Sequence, residues 1–324
     1  MKTVSIVAPV YNEEPVLTAF YQSLSAVLSP LPYRTEIIFV NDGSSDGSEE
    51  RLNRIAESDR RVRALHLSRN FGHQAALCAG LDAASGDYVV TLDSDGQHPP
   101  RLIPEMIALA ESGYDVVQTQ RLADPSLSYF KRKTSALFYQ ALNRLADTPS
   151  VPGGADFRLL SRRALDALRS LPEFHRYLRG MVSWIGFRSV ILPFTPEKRI
   201  AGASKYSFRK MLRLGSDAIF SFSLVPLYIG LSAGGLFLIL AIAEVVYVLS
   251  IWLSGNTGTL APGWSSLMFM LLIVAAILMF ILGFIGIYIG YIFQEVKHRP
   301  VYIVRETFVK DNASASTSEK EPTP

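Results

Sequence analysis

The chain has 324 residues, and its 32 lysines and arginines against 29 aspartates and glutamates leave a net charge of only +3. That balance, with no Lys/Arg run interleaved with aromatics, argues against a nucleic-acid partner. The lone cysteine, Cys78, excludes an internal disulfide and reads as a small buried hydrophobe.

The amino-terminal run MKTVSIVAPVYNEE carries a single Lys before a short β-branched stretch and then Asn and two Glu, so it reads as a strand rather than a signal peptide. Residues 3–10 and 35–40 are nearly continuous apolar runs ended by polar loops, the pattern of strands covered on both faces. Between them Glu14 to Leu28 reads as a helix. Ser48 to Ser58 then precedes a strand at 62–67, and Gln74 to Ala84 precedes a strand at 87–93. This alternation predicts an α/β fold with a mainly parallel central sheet. Polar clusters follow the strands at Tyr11-Asn12-Glu13, Asn41-Asp42-Gly43, Arg69-Asn70-Phe71-Gly72 and Asp93-Ser94-Asp95. In open α/β sheets the ligand crevice lies outside the carboxyl ends of the strands, so all four loops point to one place.

Farther along, residues 205–223 place Phe208, Met211, Leu212, Ile219 and Phe222 on one helical face, with Arg209, Lys210 and Arg213 around it. Such a helix suits a membrane surface, or alternatively packs on a soluble core. Two apolar runs follow, about 224–253 and 267–293, each longer than the ~20 residues that cross ~30 Å of hydrocarbon. From Leu224 to Phe293 the one formally charged residue is Glu244, which is expected to face a neighbouring helix or subunit or to be protonated. Gly283, Gly286 and Gly290 make a face that allows close helix approach, within the pair or in a homo-oligomer. Lys198, Arg199, Lys205, Arg209, Lys210 and Arg213 precede the first span, and Lys297, Arg299 and Arg305 follow the second, while the linker between the spans has no Lys or Arg. The positive-inside rule then predicts an integral protein of the inner or plasma membrane, with both termini and the soluble domain cytoplasmic. The resulting domains are 1–204, 205–223, 224–296 and a cytoplasmic segment 297–324, whose small, polar tail reads as disordered.

Asp93 and Asp95 alternate about Ser94 at the end of an apolar strand, and Gly96 lets the chain turn after them. Two carboxylates there make a hard oxygen site, suited to Mg²⁺ or Mn²⁺ with positions left for diphosphate oxygens. Gln97 and His98 strengthen the pattern. Asp42 could accept hydrogen bonds from a base or ribose, while Asp46 in the same loop reads as a turn or cap. His73, His98 and His175 are too scattered in sequence for a zinc site.

The segments APVYNEE, VNDGSSDGS, SRNFGHQAAL, LDSDGQHPP, GGADFRLLSRRA and RIAGASKYS resemble the inverting family 2 glycosyltransferases. More narrowly, they resemble the polyprenyl-phosphate hexose synthases, the branch that includes dolichol-phosphate mannose synthase and bacterial undecaprenyl-phosphate glucosyltransferases. The likeness runs from residue 1 to about 305 and implies a GT-A nucleotide-diphospho-sugar transferase domain. It implies that Pro9, Tyr11, Glu13 and Asp42 line the nucleotide pocket and that Asp93, Asp95 and Gln97 hold metal and diphosphate. Arg199 and Lys205 would clamp the diphosphate or stabilise the leaving group, although attraction to anionic lipid headgroups is the other reading of such cations. Arg121, Lys131, Arg132, Lys133 and Ser135 precede or open an apolar helix, a placement suited to a lipid phosphate or to plain solvation. Asp156 falls where the wider family often carries an acidic residue near the acceptor. It is read as a general base or, since a phosphate acceptor is already ionised, as an orienting group.

The expected reaction is inverting transfer of a hexose to polyprenyl phosphate, with glucose and UDP-glucose favoured over mannose from GDP-mannose or an amino sugar from a UDP donor. A processive polysaccharide synthase is disfavoured because HRYLRGMVSW lacks the Gln-x-x-Arg-Trp acceptor motif. A non-catalytic membrane scaffold is disfavoured by the intact LDSDG and RIAGASKYS segments.

Overall fold

The computed structural model describes residues 1–122, 154–174, 176–196 and 263–310, together with scattered positions between 232 and 254. Lys131, Arg132, Lys133, Ser135, Arg199, Lys205, Glu244, the expected helix at 205–223, most of the first expected span and the tail lie outside the described residues.

The amino-terminal half alternates as expected: β1 (Thr3–Val10), α1 (Glu14–Leu28), β2 (Arg34–Asn41), α2 (Ser48–Ser58), β3 (Val62–Leu67), α3 (His73–Ala83) and β4 (Tyr88–Thr91). After α4 (Ile103–Glu111) come β5 (Val116–Arg121), β6 (Gly154–Ser161), α5 (Arg162–Arg169), α6 (Leu178–Trp184) and β7 (Ser189–Phe194). A long helix, α7 (Trp264–Val296), precedes the last strand, β8 (Val304–Val309).

These strands form an eight-stranded sheet in the order β7-β5-β6-β4-β1-β2-β3-β8. The block β3-β2-β1-β4 is parallel throughout, and β7 runs parallel to β5. β6 lies between β4 and β5, antiparallel to both, and β8 is antiparallel to β3. The sheet is therefore mainly parallel, with one reversed strand inside it and another at its edge. The reversal matters for the site, because it brings the start of β6 to the same edge as the carboxyl ends of β1 to β4.

Strands β1 and β2 are buried along most of their length because helices cover both faces, which is why their sequences run apolar without alternation. On one face α1 presents Val16, Leu17, Phe20, Leu24 and Leu28, and Phe20 meets Phe39 edge-on with ring centroids 6.2 Å apart. On the other face α3 supplies small residues. A Cβ on Gly80 would stand 2.2 Å from Val7 Cγ1, so glycine is what lets this helix lie so close to β1. Each fully buried Phe, Leu or Ile contributes about 1.5–3 kcal/mol relative to exposure, so this core dominates the domain's stability. The expected strand at 87–93 ends at Thr91, and the chain turns away into the loop that carries Asp93.

The sheet with its helices and β8 belongs to one compact unit, and α7 belongs to a second. Within α7, Ile273–Val296 is a 24-residue segment of mean hydropathy 2.6 with none of its most apolar window buried, long enough to cross a membrane by length and composition. It overlaps the second expected span over 273–293 and runs three residues past its end. Of the first expected span, described positions such as Leu236, Ile239 and Leu249 are helical and exposed.

Candidate active site

The parallel strands β1 to β4 and the antiparallel β6 share one edge, and the site is built there. The first loop, Tyr11 to Glu13, contains Asn12 at φ 54°, a conformation Asn tolerates better than most residues. Asn12 reaches across to the loop after β2: its N–H donates to Ser44 Oγ (3.0 Å) and its Oδ1 accepts the Ser45 N–H (2.8 Å). Asp46 accepts from the N–H groups of Glu14 (3.2 Å) and Ser48 (3.1 Å), so it serves the starts of α1 and α2 as a cap. Tyr11 is 40% exposed at this edge, Pro9 is buried, and Glu13 is half-buried at the start of α1.

Asp42 is nearly fully buried. Its Oδ1 accepts the Phe71 N–H (2.7 Å) and its Oδ2 the Gly72 N–H (3.0 Å), so this carboxylate braces the loop after β3. Burial raises its pKa above the ordinary carboxylate value, and those two N–H bonds pull it back down. Gly43 (φ 63°) completes the junction, since a Cβ there would stand 2.5 Å from the backbone of Arg69 and Asn70. Sequence reasoning gave Asp42 to the ligand; the structure adds a bracing role that any ligand contact must share.

Asp93 follows β4 in a loop fixed from two sides. Ser94 Oγ donates to the Pro9 carbonyl (2.8 Å), and the Asp93 N–H donates to His98 Nδ1 (2.9 Å). His98 is buried, stacks on Phe157 at 5.3 Å and meets Phe194 at 5.8 Å, so it is a structural wedge beneath the loop, with its pKa lowered by burial. Its Nε2 stands 3.1 Å from Arg121 Nη2, which places Arg121, at the end of β5, beside this loop. Gln97 donates its backbone N–H to Asp95 Oδ1 (3.0 Å), closing a turn that Gly96 (φ 80°) permits.

The pairing of Thr91 with Arg158 sets the register of β4 against β6. Continued two residues past the last pair, that register brings Asp93 opposite Asp156. His73, the first residue of α3, bridges them: its Nε2 is 3.5 Å from Asp93 Oδ1 and 3.5 Å from Asp156 Oδ2. Although desolvation opposes it, contact with Asp156 and Asp93 pushes the His73 pKa up to about 9. Asp156 is buried and also accepts from Arg158 Nη2 (2.6 Å), Arg179 Nε (3.1 Å) and Arg179 Nη2 (2.9 Å). Burial would raise its pKa, but Arg179, His73 and Arg158 hold the carboxyl well below its usual range. A carboxylate so held is a poor proton acceptor, which favours its orienting role over that of a general base.

Among the described residues no group of three or more His, Cys, Asp and Glu side chains could hold a metal ion alone. Asp93 Oδ1 is nevertheless buried and accepts no hydrogen bond, since His73 Nε2, 3.5 Å away, meets it only as a long ion pair. That long contact leaves lone pairs of the Asp93 carboxylate unused, so with Asp95 the donor set fits an Mg²⁺ or Mn²⁺ ion whose remaining ligands would come from a substrate.

Of the residues singled out in the sequence, the structure links Asp93 to Pro9, Asp156 and Arg121 through Ser94, His73 and His98, and seats Tyr11, Glu13, Asp42, Asp95 and Gln97 on the loops of the same edge. It adds His73, Arg158 and Arg179. These had no local signal, because their meaning depends on the β4–β6 register and on α6 packing beside β6.

A mainly parallel α/β sheet with an acidic Asp-x-Asp loop at its carboxyl edge defines a glycosyltransferase of the GT-A type. The chain belongs to glycosyl transferase family 2, whose family model matches residues 5–169. It is 40% identical over 309 residues, 95% of each chain, to the uncharacterized glycosyltransferase YkcC of Bacillus subtilis (strain 168). It is 37% identical to the uncharacterized glycosyltransferase sll0501 of Synechocystis, over 93% of this chain and 94% of that one. To the bactoprenol glucosyl transferase of Shigella phage SfII it is 35% identical, over 94% of this chain and 98% of the relative.

Proposed function

We propose that the protein transfers a hexose, with glucose from UDP-glucose as the favoured donor, to polyprenyl phosphate with inversion at the anomeric carbon. The observation that carries this reading is an Asp93 oxygen buried without a hydrogen bond at the carboxyl edge, opposite an Asp156 already neutralised by arginines. The near full-length similarity to a bactoprenol glucosyl transferase supports the acceptor and the sugar.

On this reading Pro9, Tyr11, Glu13 and Asp42 line the nucleotide pocket, and Asp93, Asp95 and Gln97 meet the diphosphate end of the donor. A divalent ion bound there supplies charge neutralisation for the departing diphosphate. Arg199 and Lys205 add fixed positive charge at the same group. Arg121, with Lys131, Arg132, Lys133 and Ser135, receives the phosphate of the acceptor lipid. That phosphate is already ionised near neutral pH. One of its oxygens attacks C1 of the hexose in line, the bond from C1 to the diphosphate oxygen breaks, and its electron pair leaves with the nucleoside diphosphate. No proton has to be removed, which accords with an Asp156 that orients Arg158, Arg179 and His73.

The same reading has domains at 1–204, 205–223, 224–296 and 297–324, with α7 as one of two spans holding the site at the depth of the lipid phosphate. The soluble domain and both termini are then cytoplasmic, and Gly283, Gly286 and Gly290, with no atom of the described residues within 4 Å of where a Cβ would stand, offer a face for self-association.

The test is transfer of radiolabel from UDP-glucose, GDP-mannose and UDP-N-acetylglucosamine into organic-soluble lipid, using purified protein and undecaprenyl phosphate. Labelled lipid from UDP-glucose is expected. Absence of labelled lipid with every donor sinks the proposal in favour of a scaffold role.

A further inference from the structure

The edge strand β8 takes no part in the reaction just described, yet its contacts lead to one residue of the nucleotide pocket. It pairs antiparallel with β3, with Leu67 opposite Val304 beside an irregularity in the register at His66/Leu67. Just beyond that pair the Ser68 N–H donates to the Ile303 carbonyl (2.9 Å). Ser68 opens the loop whose next residues, Arg69 and Asn70, lie against Gly43, and whose Phe71 and Gly72 N–H groups bind Asp42. A first line of contact therefore runs from β8 to Asp42 through backbone.

A second line runs through side chains. Arg305 is hydrogen-bonded to Glu49 on α2, and Glu49 Oε2 accepts from Asn41 Nδ2 (3.3 Å), the residue before Asp42. Asn41 is buried. Its amide also meets His66 Nδ1 (3.2 Å), and its Oδ1 takes the Ser44 N–H (3.0 Å), so its orientation sets the turn at 41–44. A third contact, Tyr302 Oη to Asp82 Oδ2 (2.8 Å), ties the approach to β8 onto α3, the helix that begins with His73. Arg305 and Glu49 are half-exposed, so that pair alone contributes little. What sets β8 apart is that its contacts converge on both sides of Asp42.

We infer that β8 is a working part of the nucleotide site, in which Tyr302 and Arg305 are positioning residues that hold the Asp42 turn and the 68–72 loop in binding geometry. The inference rests on the nucleotide-sugar reading above. It also gives the carboxyl-terminal strand a role in donor affinity, although no residue of it reaches the reacting atoms.

The experiment uses full-length protein in lipid nanodiscs, with UDP as the probe and GDP as a second. Binding is measured by calorimetry beside steady-state kinetics and thermal unfolding. The double variant Tyr302→Phe/Arg305→Gln is expected to raise the UDP dissociation constant and the donor KM about three- to tenfold. At saturating donor its kcat should stay within about twofold of wild type, and restoring charge with Tyr302→Phe/Arg305→Lys should recover part of the affinity. Thr307→Pro, which puts a residue without an N–H into the edge strand, should weaken UDP more strongly. Unchanged UDP affinity in the double variant, with wild type binding normally, overturns the inference. So does a loss of thermal stability with KM unchanged and kcat reduced in proportion to the folded fraction. Failure of wild type to bind either nucleotide overturns the donor reading instead.

Discussion

Asp93 and Asp156 face each other across the continued β4–β6 register, with the His73 imidazole 3.5 Å from a carboxylate oxygen of each. A cation between two carboxylates fixes both, and hydrogen bonds to charged groups contribute about 1.5–3 kcal/mol. His73→Ala is therefore expected to lower kcat/KM about ten- to a hundredfold, with Asp93 losing its orientation. Purified protein assayed over a range of Mn²⁺ concentrations should show a raised metal requirement; an unchanged requirement would separate His73 from the metal carboxylates.

Asp95→Ala and exhaustive chelation should each abolish transfer to polyprenyl phosphate, and only the chelated wild type should recover on adding Mg²⁺ or Mn²⁺. Full activity of the Asp95→Ala protein would remove the pair from the mechanism.

Arg121 lies beside the Asp93 loop through His98. Arg121→Ala should raise the KM for undecaprenyl phosphate about tenfold, the order expected for one charge-assisted contact, and leave the donor KM near wild type. Equal changes in both constants would instead mark a defect in His98 and the loop above it.

Much of this edge was legible in the sequence. Strands β1 to β4 are buried runs of Val, Ile and Leu that admit few other conformations, and Asp93, Asp95 and Asp42 follow such runs directly. What stayed hidden depends on pairing at long range. The sequence GADFRLLS of β6 puts Asp156 and Arg158 into a core strand, where Asp156 is tolerable because Arg158 and Arg179 neutralise it, and Arg158 because it pairs with Asp156. Likewise, His73 and His98 read as scattered in the chain but both come within 4 Å of Asp93. Strand β8 is short and largely exposed, and nothing in VRETFV announces that it pairs with β3.

At the opposite ends of the parallel strands Glu36 ties three elements together. Its carboxylate accepts from Ser5 Oγ (2.6 Å), Arg63 Nη1 (2.9 Å) and the Ser85 N–H (3.0 Å) and Oγ (2.9 Å). Desolvation opposes the shift, but the bonds from Ser5, Ser85 and Arg63 hold its pKa below the ordinary value. A depressed folded-state pKa means stabilisation that is complete above the unfolded pKa of about 4.3 and is lost as pH falls through the lower folded value. Glu36→Gln should cost about 1–3 kcal/mol at pH 7, with the gap to wild type narrowing below pH ~4. Thermal unfolding at both pH values checks this, and a gap that persists in acid would mean that shape rather than charge is responsible.

Gly43 stands at φ 63° with no room for a methyl group against Arg69 and Asn70. Gly43→Ala should push the two loops apart and weaken UDP binding at least about tenfold, with a stability loss of about 1–3 kcal/mol. Normal UDP affinity in that variant would show that the 43–70 contact is incidental to the pocket.

Because β8 follows α7 in the chain, the sheet is not finished until the polypeptide has passed through its long apolar helix and returned. A soluble fragment ended before residue 205 would keep Pro9, Asp42, Asp93 and Asp156 but leave the hydrogen-bonding edge of β3 bare along Arg63 to Leu67. An uncovered edge of that kind recruits other strands, so such a fragment is expected to self-associate in solution. Joining residues 300–310 to its end through a flexible linker is the direct way to restore a monomer.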